Sequence, residues 1–267
     1  MKYKLEPKKT LYRKIKLLIF LAIIIFCLYE IGSYVRNSYY NNKLNNQLQE
    51  LYQDDVQETK DNEPGEDSED SESKGDNIVN FEELLAMNSD VVGWIKIEDT
   101  NIDYTVVKGN DNEYYLNHNV KKDSSSSGAI FMDYRNEGNE EDLNTIIYGH
   151  NMKDGSMFKT LTSYKEKDFF ITHPIIELAT LNKSTKWEIF SVYITDTDFN
   201  YIKTNFNDKE EYGFFLKKLK NKSLYDTGMK VVSDDTILTL STCTYEFYDA
   251  RFVIHAKLIK QEEGKNY

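Results

Sequence analysis

Leu17 to Leu28 is an unbroken run of apolar side chains, and it limits the chain more than any other stretch. No face of a helix built from it is polar, so it has no soluble surface to offer. If Glu30 sits at the interface beside Arg36, the span reaches from Leu17 to Val35, just long enough to cross a bilayer. Residues 1–16 carry Lys2, Lys4, Lys8, Lys9, Arg13, Lys14 and Lys16 against the single acid Glu6. The excess of lysine and arginine before the span puts residues 1–16 in the cytoplasm and everything after Val35 outside. A cleaved signal peptide also begins with a basic stretch and a short apolar run, but no A-x-A-like site follows Leu28. The expectation is a single-pass anchor at residues 17–35 that keeps the rest of the chain at the outer surface of the cell membrane.

Beyond the anchor, residues 36–76 are expected to form an extracellular stalk and linker. Tyr39 to Gln53 admits two readings, a short helix continuing the anchor or a solvated stalk. From Asp54 to Asp76, eleven acidic residues stand against Lys60 and Lys74, with Pro64, Gly65, Gly75 and several serines between them. So charged and so poor in apolar side chains, this segment cannot bury enough surface to order itself, which predicts an extended, self-repelling tether. The same acids could bind cations or a basic partner, but a solvated spacer explains them more simply.

Residues 77–267 are long enough for one compact domain. It is acidic like the whole chain, whose formal net charge is −12, and an acidic surface repels phosphate backbones, so nucleic acid is not an expected partner. The pattern is mainly β. Strands are expected at 92–97, 103–107, 129–132, 145–148, 175–181, 186–194, 236–240 and 251–258. Helical spacing appears at 81–88 and 209–220, where Tyr212, Phe215, Leu216 and Leu219 share a face, and short helical turns are expected near 113–116 and 156–161. Many short strands with few helices predict a closed or nearly closed barrel.

Chemistry concentrates near the end of the chain. Cys243 has only Cys27, in the apolar run, as a companion, so no disulfide is expected in the outer part. An isolated cysteine is commonly a small buried hydrophobe, but Cys243 sits at a polar strand end with Arg251 opening the next strand. A nearby cation lowers a thiol pKa and makes the thiolate a nucleophile. Four histidines are candidates for the accompanying base. His150 follows a strand and a glycine, at the sort of rim position where distant segments converge. His118, in a polar loop able to fold over the site, is second; His173 precedes Pro174 and His255 is mid-strand. No cysteine pair or His-x-x-x-His spacing suggests zinc, no glycine-rich phosphate loop is present, and no cofactor is expected. The acids Glu140, Glu141 and Asp142 could at most hold calcium weakly.

The run Thr239-Leu240-Ser241-Thr242-Cys243 with Arg251 after it resembles the active-site signature of the sortases, the cell-wall cysteine transpeptidases of Gram-positive bacteria. Asn144 to Met152, with Gly149-His150-Asn151 inside it, resembles the segment that carries the sortase histidine. Gly93-Trp94-Ile95, Gly128 to Asp133 and Asp154 to Phe158 are similar to the class B wording, and the likeness extends from Phe81 to Ile259. It implies an eight-stranded barrel with accessory helices and an additional N-terminal helix. It implies Cys243 as nucleophile, His150 as general acid and base, and Arg251 as the group that steadies the oxyanion and substrate. Arg251 in a plain salt bridge to Asp249 or Glu246 is the competing reading. Ser241, Thr242, Tyr148 and Glu246 are further candidates for substrate binding, and Asn151 and Met152 for the cleft lining.

The reaction so implied cleaves an NPxTx-like or PxTG-like C-terminal sorting motif of a secreted protein after its threonine. The acyl group passes through a thioester to an amine of a cell-wall peptidoglycan precursor. Two other readings stay open: an anchored cysteine hydrolase that uses water as acceptor, and a non-catalytic binding module with a structural Cys243.

Overall fold

The computed structural model describes residues 7–61, 81–139, 141–244 and 246–260. The chain divides into two units, Met1–Lys43 and Leu44–Tyr267. The described residues of the first, from Pro7, are part of one long helix, α1 (Pro7–Asp61). Within it Leu17, Leu18, Phe20, Ile25, Phe26 and Leu28 are all exposed, and the helix is long and apolar enough to cross a membrane.

From Leu44 onward α1 belongs to the second unit. Leu44 and Leu48 are buried there, and Leu51 and Tyr52 pack beside them against Phe81, Leu84 and Trp94. Spacings of four, three and one residues put these side chains on one helical face. The Tyr52 ring stacks on Trp94 at 4.3 Å, and Gln49 Nε2 donates to the Asp103 carbonyl at 2.9 Å. Of the two readings of Tyr39 to Gln53, the structure has the helix that continues from the apolar run. There the few leucines, spread among asparagine and glutamine, all fall on the buried side. The tether expected from Asp54 is helical as far as Asp61, because glycine and proline are absent before Pro64; residues 62–80 lie outside the described residues.

The second unit is a closed barrel of eight strands: β1 (Val91–Lys96), β2 (Asp103–Lys108), β3 (Ile130–Met132), β4 (Asn144–Tyr148), β5 (Ile175–Thr180), β6 (Ser184–Thr195), β7 (Ile237–Cys243) and β8 (Arg251–Leu258). Around the barrel they run β1-β2-β3-β4-β7-β8-β6-β5. Only the β2–β3 and β4–β7 pairs among them are parallel. Alternation sends Ile147, Leu238, Leu240, Phe252, Ile254 and Ala256 into the central core. The outward residues Ile237 and Val253 are covered instead by α4 (Lys209–Lys222), through Tyr212, Phe215, Leu216 and Leu219. Asp208 caps α4, accepting from Glu211 N at 2.8 Å, and Lys220 and Lys222 sit in its last turn against the negative end of the helix dipole.

Two short helices complete the unit: α2 (Glu82–Met87) and α3 (Lys167–Thr172). A 3-10 turn at Tyr114–Leu116 and a 3-10 segment at Phe158–Lys165 stand where turns were expected. Only the second runs longer than the sequence pattern suggested.

Candidate active site

The parallel β4–β7 pair sets the site. Tyr148 pairs with Ser241, and Gly149 N then donates to the Ser241 carbonyl at 3.3 Å. His150 and Cys243 are each two residues beyond that pair. The two neighbouring strands, about 4.8 Å apart, thus deliver them to one rim at one level. β8 enters antiparallel on the other side of β7, and its first residue, Arg251, lies directly opposite Cys243. Side chains so opposed start about 5 Å apart. Three positions distant in sequence become consecutive along one rim.

Local packing fixes the histidine. A Cβ on Gly149 would come within 2.4 Å of Ile130 Cδ1 and 2.8 Å of the Phe158 ring, so only glycine lets the chain turn there. The His150 carbonyl accepts from Phe158 N at 2.9 Å, and Asn151 Nδ2 donates to the Cys243 carbonyl at 2.8 Å. His150 Nε2 is 2.7 Å from the Leu116 carbonyl. A carbonyl only accepts, so Nε2 carries a hydrogen and Nδ1 is the ring nitrogen left to exchange a proton. The loop that was expected to bring His118 over the site does arrive, but through Leu116. His118 itself stacks on Tyr114 at 4.0 Å and bonds the Tyr114 carbonyl.

Cys243 is a free, half-buried thiol. Arg251 is half-buried too; its guanidinium donates to the Ala250 carbonyl at 3.2 Å and, among the described residues, pairs with no carboxylate. Glu246 is taken by Lys165 and by the Thr244 hydroxyl. Burial opposes ionisation of Glu246, but those two donors hold its carboxyl below the usual range. Lys165, Thr244 and Glu246 line, with Asn151, Lys159 and Thr162, a cleft of about 250 Å³ beside Cys243.

The remaining candidates separate by face. Ser241 lies on the outward side of β7 with Cys243, and its hydroxyl is 2.8 Å from Tyr201 OH. Thr242 does not join them: alternation turns it into the barrel, where it is buried and its hydroxyl has no partner among the described residues. Tyr148 gives its hydroxyl to Asp133 at 2.8 Å, and burial together with the Asp133 charge raises its pKa, so it stays neutral. Met152 packs against the core. Asp142 accepts from Glu137 N and Gly138 N, and Glu140 lies outside the described residues.

Sequence reasoning missed Tyr201. Its hydroxyl pKa is raised by burial, drawn down by Arg251 and pushed up by Cys243, which brings it within electrostatic reach of both. It sits in an irregular connection with no periodicity to mark it.

The sortase domain is the family whose sequence pattern matches residues 95–259. The chain belongs to the sortases. It is 38% identical to a sortase B of Listeria monocytogenes over 94% of this chain and 98% of the relative. A Staphylococcus aureus sortase B–substrate complex superimposes with a TM-score of 0.74 at 33% identity, covering 84% of this chain and 99% of that one. Sortase B from B. anthracis gives 0.71 at 40% identity, covering 85% of this chain and 100% of that one. Sortases are cysteine transpeptidases that act on sorting signals and anchor proteins to the cell wall, and the closed barrel of this sortase matches those structures.

Proposed function

We propose that this sortase is held in the membrane by residues 17–35, with residues 1–16 cytoplasmic and the barrel outside. It cuts an NPxTx-like or PxTG-like motif after threonine and passes the new carboxyl end to a peptidoglycan amine. Cys243 is the nucleophile, His150 the general acid and base, and Arg251 the oxyanion and substrate donor. The observation that carries this reading is the register: Cys243 opposite Arg251 on β8 and level with His150 beyond β4.

The Cys243 thiolate attacks the threonine carbonyl, and the negative charge that develops on oxygen is met by Arg251, a donor that pairs with no carboxylate among the described residues. The C–N bond breaks as imidazolium Nδ1–H of His150 protonates the departing amine, leaving a thioester. The incoming amine gives a proton to His150 Nδ1 and attacks the thioester. Thiolate leaves, and one amide has been exchanged for another. Asn151, Thr244 and Glu246 line the cleft beside Cys243, and Tyr201 backs Ser241 on the Cys243 face of β7.

The test incubates the full-length protein in detergent micelles with fluorogenic peptides carrying LPxTG, NPxTx and PxTG variants, with and without an amine, alongside Cys243→Ala and His150→Ala. An acyl adduct on Cys243 by mass spectrometry plus amine incorporation supports the transpeptidase. Cleavage that added amine does not divert identifies a hydrolase. No adduct from any motif, with Cys243 alkylating like an ordinary thiol, leaves a binding module.

A further inference from the structure

Between the end of β6 at Thr195 and the start of α4, residues 201–206 have no helix or strand hydrogen bonds of their own. Yet Tyr201 is buried and its hydroxyl lies on Ser241, two residues before the nucleophile on the same face. Something outside this strap must hold it. Asn144 Nδ2 reaches the Lys203 carbonyl at 3.0 Å and the Tyr201 carbonyl at 3.4 Å, and Arg135 donates to the Ile202 carbonyl between them at 3.0 Å. Three consecutive carbonyls are thus taken by two side chains from β4 and from the loop that precedes it.

The direction of the Asn144 amide is set from behind. Thr239 gives its single hydroxyl hydrogen to Asn144 Oδ1 at 2.6 Å. His255 Nδ1, 2.8 Å from the same hydroxyl, must therefore donate to it, and Nε2 is left to accept from Tyr193 OH at 2.7 Å. Asn144, Thr239 and His255 are fully buried. Hydrogen bonds run one way, from Tyr193 through His255, Thr239 and Asn144 to the strap. Arg135 is set independently, its guanidinium forked on the buried Asp133 at 2.7 and 2.8 Å.

We infer that Asn144 and Arg135 are positioning residues for the donor peptide, holding the Tyr201–Lys203 strap so that the Tyr201 hydroxyl stays on Ser241, on the face of β7 that carries Cys243. The inference rests on the transpeptidase reading for its substrate. Neither residue belongs to the proposed Cys–His–Arg chemistry, so their loss should weaken peptide binding and leave the thiol as reactive as before.

Asn144→Asp keeps the oxygen that Thr239 needs and removes the N–H donors. Arg135→Lys keeps the charge on Asp133 but loses the fork that also reaches Ile202, and it carries the test if the aspartate variant does not fold. Both are compared with the parent as full-length protein in micelles for peptide KM and kcat, for Cys243 alkylation by iodoacetamide, and for hydrogen exchange over residues 199–206. The expected result is a KM raised about tenfold, the factor a modest hydrogen bond carries, with kcat and alkylation within about twofold of the parent by the same scale and faster exchange in the strap. Unchanged KM with unchanged exchange overturns the inference, as does alkylation that falls in step with activity. If the parent turns over no peptide, the transpeptidase reading fails by itself, and exchange alone decides whether these side chains hold the strap.

Discussion

Asp133→Asn tests the polar cluster behind the cleft. The Asp133 carboxylate is fully buried and accepts five hydrogen bonds. Arg135 N and Nε reach Oδ1 at 3.0 and 2.8 Å, and Arg135 Nη2, Tyr148 OH and Asn112 Nδ2 reach Oδ2 at 2.7, 2.8 and 2.9 Å. An asparagine offers one oxygen and turns an NH₂ toward the other donors. Breaking a buried pair from one side costs about 3–5 kcal/mol. The Arg135 side chain is 32% exposed and can be rehydrated, so the lower end, about 3 kcal/mol, applies. For a domain of this size that lowers Tm by about 6–12 °C.

The same group predicts a pH dependence. Burial alone would raise the Asp133 pKa, but the Arg135 and Tyr148 hydrogen bonds outweigh it and leave the folded value below the unfolded one. Its contribution is therefore complete above the unfolded pKa, about 3.9, and is lost as pH falls through the folded value. The gap between parent and Asp133→Asn should be constant near neutrality and narrow only in acid. Circular dichroism melts at pH 7, 5 and 3.5 measure both effects. A loss of less than about 2 °C at pH 7, on the same size scaling, or a gap that widens in acid, would refute the reasoning.

Arg251→Ala should lower kcat/KM by about 10²–10³, the usual loss of one oxyanion donor, with little change in Tm; steady-state assay of the cleaved peptide checks it. Gly149→Ala forces a methyl onto Ile130 and Phe158, so about 1–3 kcal/mol of stability should go together with acyl-adduct formation, read by melting and mass spectrometry. His255 is held neutral by burial, its pKa pushed down to about 3. Below the unfolded value of about 6.5 the unfolded chain binds the extra proton, so stability should fall by about 1.4 kcal/mol per pH unit. Urea titrations from pH 7 to 5 should show a shallower slope for His255→Gln. Leu48→Ala should cost about 2–5 kcal/mol, because Leu48 is buried against the domain; a melt like the parent's would place it on a free stalk.

The sequence by itself determined the elements and their chemistry. Short runs of apolar, β-branched and aromatic residues marked all eight strands, because a strand covered on both faces carries such side chains wherever it ends up. The apolar run at 17–28 marked a helix long and apolar enough to cross a membrane, because no soluble surface accepts it. Cys243, His150 and Arg251 stood out because a thiolate needs cationic company and two motifs sat at strand ends. Tertiary structure decided what faces what. Thr242, next to Cys243 in sequence, is on the opposite side of the strand. Leu44, Leu48, Leu51 and Tyr52, few among polar residues, become core because one helical face meets Phe81 and Trp94. Tyr201, Asn144 and Leu116 reach the site through hydrogen bonds that span 34 to 59 residues. Such contacts depend on where closure of the barrel brings separate segments together, and no local periodicity records that.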